Sequence, residues 1–260
     1  MITLLGYILF LLAGILCGLF GLGGSILIMP VLVYLFDLSI YTATTYCFLI
    51  VFISSFIGTC THIIQNSFKI NNVLYCAIPA VLSTIFSRTW IVPVIPEYIQ
   101  VLHLQVDKDS FIMLMFAIIL FFTGMSMWKD KKIQTNKSNN IILVFIGLLV
   151  GPVTALLGLG GGFILVPGLV IFNNMNMKVA AASSLFIISL NMLFVLLLEI
   201  FILDFTLDVG FMLSLMSLSI CGVLIGVYLL HKIDVNLTKK VFSICLLLLS
   251  LIIMFIELLY

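Results

Sequence analysis

The groups best placed for chemistry in this chain are backbone amides rather than ionisable side chains. They concentrate in two stretches: Gly21-Leu22-Gly23-Gly24-Ser25, with Pro30 behind it, and Gly158-Leu159-Gly160-Gly161-Gly162, with Pro167 behind it. Glycine weakens a helix and lets another group approach the backbone, and the following proline removes one further helical donor. A helix that restarts around Ser25, and another around Gly162, leaves unpaired N–H groups and partial positive charge at its first turn. A small oxyanion between the two loops would satisfy both. The other use of such glycines is tight helix packing. Two matched clusters, each interrupting an apolar run, favour the anion site.

Side chains near the clusters can assist. Thr42, Thr44 and Thr45 follow the first, and Ser183 and Ser184 follow the second. Asn191 lies about two helical turns further on, near the same face. The hydroxyls of Thr45, Ser183 and Ser184 either donate to an anion or bond back to their own helix. A buried Asn191 amide needs several partners. Arg88, the one arginine, stands five residues before Pro93; it binds or guides an anion, or snorkels to the interface. His62, beside Gln65 and Asn66, reads as an interfacial cap, with a proton relay as the alternative. His103 and His231 read as loop residues. Glu199 and Glu257 fall near outer segment ends, and Glu199 is a candidate for proton coupling. The six cysteines lie in apolar segments with no CxxC pair and read as small buried hydrophobes.

Enzymatic constellations are lacking. Ser25 with His62 is the only imaginable nucleophile and base, and there is no G-x-S-x-G, H-E-x-x-H or nucleotide-binding G-x-x-x-x-G-K-[ST] motif. No cofactor or metal is expected. The composition, 64% hydrophobic and 8% charged over 260 residues, is that of an integral membrane protein. A net charge of +1 gives no reason for a nucleic-acid partner. The start, Met1 to Phe20, lacks a basic region and a small-residue cleavage site, so a cleaved signal peptide is not expected.

The elements that must position these groups are apolar segments near 2–36, 41–66, 73–95, 109–128, 141–172, 177–203, 209–230 and 237–257. Six have ordinary spanning length. Segments 2–36 and 141–172, which carry the glycine clusters, would each be about 50 Å long as one straight helix, against a ~30 Å hydrocarbon core. If each enters and returns as a hairpin, Lys69, Lys129, Lys131, Lys132, Lys137, Lys178, Lys232, Lys239 and Lys240 share one side, and only Arg88 and Lys108 face the other. That is a positive-inside pattern with both termini outside; eight single crossings would give none. The expected fold is an all-α polytopic bundle of about eight hydrophobic segments, in two inverted repeats. Residues 1–128 form the first repeat, 129–140 a cytoplasmic linker and 141–260 the second repeat. An offset of 137 superposes Gly14 on Gly151, Gly21 on Gly158, Gly23 on Gly160, Gly24 on Gly161 and Pro30 on Pro167. Eleven of the 37 positions from 14 to 50 are identical under it; the glycine and proline matches carry the weight, since only a repeated backbone requirement explains them. At an offset of 139, Ser83 and Ser87 fall opposite Gly222 and Gly226, both small-xxx-small pairs suited to close helix contact.

The stretches Gly18-Leu-Phe-Gly-Leu-Gly-Gly-Ser-Ile-Leu-Ile-Met-Pro30 and Leu156-Leu-Gly-Leu-Gly-Gly-Gly-Phe-Ile-Leu-Val-Pro167 carry a resemblance along the whole chain. With Ala180–Ser184 and Gly222-Val-Leu-Ile-Gly226, they make the chain similar to the sulfite exporter TauE/SafE-like family, also called the 4-toluene sulfonate uptake permeases. The resemblance implies a bacterial cytoplasmic-membrane permease moving sulfite, sulfonates or related organic anions. The chain departs from the family pattern at Ser25, Ser83 and Ser87, where the family has glycine, and in the run from Arg88 to Pro96, so it represents a subgroup. The expected function is secondary transport of a small anion, with a proton or sodium ion as coupling partner and the bilayer as surroundings. An anion channel and a non-transporting membrane subunit are the alternatives. The expected site comprises Gly21, Gly23, Gly24, Ser25, Thr45, Gly158, Gly160, Gly161, Gly162, Ser183, Ser184, Asn191 and Arg88.

Overall fold

The computed structural model describes residues 2–22, 25–64, 73–96, 98–101, 104–128, 140–173, 175–202 and 209–259. The chain runs α1 (Ile2–Phe20), α2 (Ser25–Tyr34), α3 (Ile40–Ile64), α4 (Leu74–Phe86), α5 (Lys108–Trp128), α6 (Asn140–Leu157), α7 (Gly162–Phe172), α8 (Met177–Ile202), α9 (Val209–Lys232) and α10 (Val235–Leu259). A π-helical turn (Ser87–Ile91) and a 3-10 turn (Val92–Val94) extend α4. Among the described residues seven helices are long and apolar enough to cross a membrane. The region from 98 to 107, read from sequence as loop, holds a small antiparallel hairpin, β1 (Tyr98–Val101) on β2 (Leu104–Asp107), in register Tyr98 with Asp107 and Val101 with Leu104. The 129–139 part of the linker, His103, Gln65 and Asn66 lie outside the described residues.

The two overlong segments are hairpins with unequal arms. The long arms, α1 and α6, have 19 and 18 residues, whereas α2 and α7 have 10 and 11. The short arms fold back along the long ones. A Cβ at Gly6 would meet the Phe36 ring at 2.7 Å, and one at Gly168 would meet Ile146 at 2.9 Å. The halves repeat each other down to single backbone hydrogen bonds. Gly21 N–H donates to Cys17 O and Gly158 N–H to Thr154 O; Leu38 N–H donates to Leu32 O and Met175 N–H to Leu169 O. Each pair differs by 137 in donor and acceptor alike. Both Gly21 and Gly158 have φ of 70°, a left-handed conformation that glycine adopts without strain.

The halves interlock rather than sit side by side. α1 packs on α9 as α6 packs on α4, while α3 pairs with α8 and α5 with α10. The α1–α9 crossing uses glycine on both sides: a Cβ at Gly222 would stand 2.4 Å from Leu11 O, and one at Gly226 would stand 2.2 Å from Ile15 O. At the matching α4–α6 crossing, Ser83 Oγ donates to Leu148 O at 2.8 Å. Lipid offers little hydrophobic drive between helices, so this closeness and these bonds hold the bundle together. Ser243 bonds Gly124 O and Ser250 bonds Ala117 O, so α5 and α10 run in opposite directions. The fully buried Phe10, Phe20, Phe48, Phe116, Phe163 and Phe242 fill the middle. Cys17, Cys47 and Cys76 are buried as expected of small hydrophobes, whereas Cys221 is exposed; it stands beside Gly222 on α9.

Candidate functional site

The new helices begin at Ser25 and Gly162, where the glycine clusters end. Gly23 and Gly24 lie outside the described residues, and Ser25 is described by its backbone alone. The other loop residues converge. A Cβ at Gly162 would stand 2.6 Å from Leu22 Cα, so the two loops touch backbone to backbone. Each loop also seats on the first turns of a helix from the other half. A Cβ at Gly21 would meet Ala181 Cα at 2.4 Å, and one at Gly158 would meet Thr44 Cγ2 at 2.9 Å. Ala181 and Thr44 are themselves 137 residues apart. Gly160 abuts Ile188, and Gly161 abuts Val150 and Thr154 within its own hairpin. Close packing is therefore a use of these glycines, and it brings both helix starts to one place.

The polar side chains divide into satisfied and unsatisfied groups. Ser184 Oγ donates to Gly21 O, tying α8 to the first loop. Thr45 Oγ1 bonds back to Tyr41 O at 3.1 Å, and Thr44 Oγ1 bonds back to Ile40 O. Among the described residues, Ser183 Oγ, Thr154 Oγ1 and both amide atoms of Asn191 are buried without a hydrogen-bond partner. Such groups cost about 1–3 kcal/mol each when left unpaired. Thr154 escaped the sequence reading; its signal was its place one turn before Gly158, in an otherwise apolar helix.

Arg88 does not snorkel. It lies in the π-helical turn, where Val92 N–H reaches back five residues to Ser87 O, and Pro93 has no N–H to continue the α-helix. Its guanidinium is buried and paired with Glu199 on α8, Nε donating to Oε1 at 2.7 Å. Nη1 donates to Ala155 O at 3.2 Å, near the C-terminal end of α6. The guanidinium also lies 5.5 Å from the Tyr41 ring centre and 5.2 Å from that of Phe48. A cavity of about 430 Å³ opens here, lined by Tyr41, Thr44, Arg88, Lys108, Asp109 and Leu156 among others. The sequence holds a lone arginine and a glutamate inside spanning segments, but no local pattern in it says that the two meet.

At the opposite end of the bundle, His62 is buried rather than interfacial, with its ring 5.7 Å from that of His231. His231 belongs to the last turn of α9 and not to a loop, and its Nδ1 lies 2.9 Å from Val227 O. Among the described residues no three His, Cys, Asp or Glu side chains converge as a metal centre requires.

A family model described as Sulfite exporter TauE/SafE matches residues 6–253. A Haemophilus influenzae (strain Rd) protein described as a probable membrane transporter protein is 31% identical over 183 residues, covering 67% of this chain and 65% of that one. The chain thus matches just under two-thirds of that relative's length. No solved structure matches it.

Proposed function

Because the chain belongs to the sulfite exporter TauE/SafE family, and so to multi-pass membrane proteins of a transporter family, we propose that it is a secondary transporter of a small anion held at its paired glycine loops. The observation that carries this reading is the meeting of Leu22 and Gly162, with each loop seated on the opposite half. Two helix starts brought together supply backbone donors and positive potential from both sides. Ser183, Thr154 and Asn191 supply buried polar atoms without partners. Tyr41, at the start of α3, shares the Arg88 cation with Glu199, near the end of α8. Equivalent helices that run oppositely suit an inverted repeat, in which one half rocks against the other around a fixed site. The loop-to-loop contact favours a carrier over an open pore. The family supports the bacterial cytoplasmic membrane as the setting, and with the anion chemistry of the loops it supports sulfite or a sulfonate as cargo.

The test is flux into liposomes containing the purified protein, with sulfite, taurine and sulfoacetate as cargoes. Saturable flux of at least one is expected, falling at least about tenfold in Gly162→Ala, whose Cβ drives the loops apart; a tenfold loss needs only ~1.4 kcal/mol of lost stabilisation. Full flux in that variant, or no flux of any cargo in the unaltered protein, would overturn the reading.

A further inference from the structure

The Arg88–Glu199 pair is incompletely bonded in a way that a purely structural ion pair has no reason to be. One carboxylate oxygen, Oε1, takes both contacts, from Nε at 2.7 Å and from Nη2 at 2.6 Å. Among the described residues, Nη2 makes no aligned hydrogen bond and the buried Glu199 Oε2 has no hydrogen-bond partner. The guanidinium thus keeps donors unused while it lines a cavity large enough for a small oxyanion. That cavity also reaches Thr44, the residue on which the Gly158 loop rests, so it leads towards the paired loops.

We propose that Arg88 is an entry site for the anion, that the Glu199 carboxylate is its resident stand-in, and that a proton taken up by Glu199 frees Arg88 for the cargo. This rests on the transport reading and assigns its coupling. The proton comes from solvent at the Arg88 end and adds to the Glu199 carboxylate. The resulting neutral acid no longer balances the guanidinium; an incoming monoanion does. One proton and one monoanion therefore enter together, and the buried site stays neutral throughout, which a low-dielectric interior demands. The guanidinium fork matches oxyanions that present two oxygens side by side, as sulfonates and carboxylates do.

The other titratable groups near Glu199 are few. α3 contributes Tyr41; the start of α5, with the residue before it, contributes Asp107, Lys108 and Asp109 across the cavity. α6 and α7 carry no titratable side chain. α1 and α10 bring Tyr7 and Glu257 to the same end, and Tyr34 donates to Glu257. Among these only Arg88 contacts Glu199 directly in the described structure.

The experiment follows thermal unfolding of the detergent-purified full chain with methanesulfonate as probe, a sulfonate that does not itself titrate in the range used. The half-stabilising concentration is measured near pH 5.5 and near pH 8. In the unaltered protein it should rise with pH by up to about tenfold per pH unit, as binding linked to one proton requires. Glu199→Gln, which imitates the protonated acid, should bind tightly and equally at both values. The double variant R88Q/E199Q removes both buried charges together, should still unfold cooperatively, and should lose the stabilisation. Equal affinity at both pH values in the unaltered protein, unchanged binding by the double variant, or no stabilisation in any form would overturn the proposal. This readout needs no transport, so its failure is separable from failure of the liposome flux.

Discussion

Ser184 shows how single atoms hold the two halves in register. Its hydroxyl donates both to Gly21 O and to Ala181 O, so a turn of α8 and the first glycine loop share one donor. At the equivalent position of the first half stands Cys47, whose Sγ reaches only Met29 Sδ at 4.0 Å. The symmetric backbone thus carries asymmetric side chains, as expected where one loop is anchored more firmly than the other. Ser184→Ala should lower stability by about 1 kcal/mol, the usual worth of one such bond. It should lower transport more than the comparable Ser250→Ala, whose bond to Ala117 O lies away from the loops. Equal effects of the two on flux would remove Ser184 from the site. The matched left-handed turns at Gly21 and Gly158 were legible in the sequence, because glycine repeated at one offset marks a repeated backbone need. The Arg88–Glu199 pair was not, because pairing across 111 residues depends on how α4 and α8 pack, and no local pattern encodes that.

Helices here are held by how closely they approach. The α1–α9 crossing puts Gly14 and Gly18 against Gly222 and Gly226, backbone on backbone. A side chain at Gly222 must push the axis of α1 away, whereas one at Gly124 would meet side chains rather than backbone, Leu247 Cγ at 2.9 Å and Leu246 Cβ at 3.3 Å. Gly222→Leu should therefore cost more than the ~1–3 kcal/mol of ordinary overpacking, and Gly124→Ala less. Thermal midpoints of the two variants in detergent check this; equal midpoints would show that the crossing does not govern stability. The restarts of α2 at Ser25 and α7 at Gly162 were readable from the clusters, as were the corresponding small-xxx-small pairs Ser83/Ser87 and Gly222/Gly226 at the α4–α6 and α1–α9 crossings. The unequal hairpin arms were not, since an uninterrupted apolar run records neither where a helix turns back nor how deep it reaches. The π-helical turn at Ser87–Ile91 was also hidden, because Pro93 announces only that the helix must change.

At the scale of the whole molecule, the interlocked packing gives the loops a role that neither half supplies alone. The first loop rests on α8 and the second on α3, so any relative motion of the halves must pass through Leu22 and Gly162. The charge pattern of the sequence places Arg88 and Glu199 outside, and His62, Lys178 and His231 inside. Contacts agree on which ends belong together: Lys178 Nζ donates to His231 O at 3.2 Å, and His62 stacks on His231. At the other end Ile40 N–H reaches Asp109 at 3.4 Å. If an anion passes between the two loops, Leu22 must be reachable from each side in turn. The most direct measurement places one cysteine at Leu22 in a cysteine-free background and follows its reaction with a sulfonate-bearing methanethiosulfonate reagent, added from either side of oriented vesicles. Reaction from both sides is expected, slowed severalfold by a saturating transported anion, with the protection lost in Gly162→Ala. Reaction from neither side, or reaction that the transported anion leaves unchanged, would contradict it.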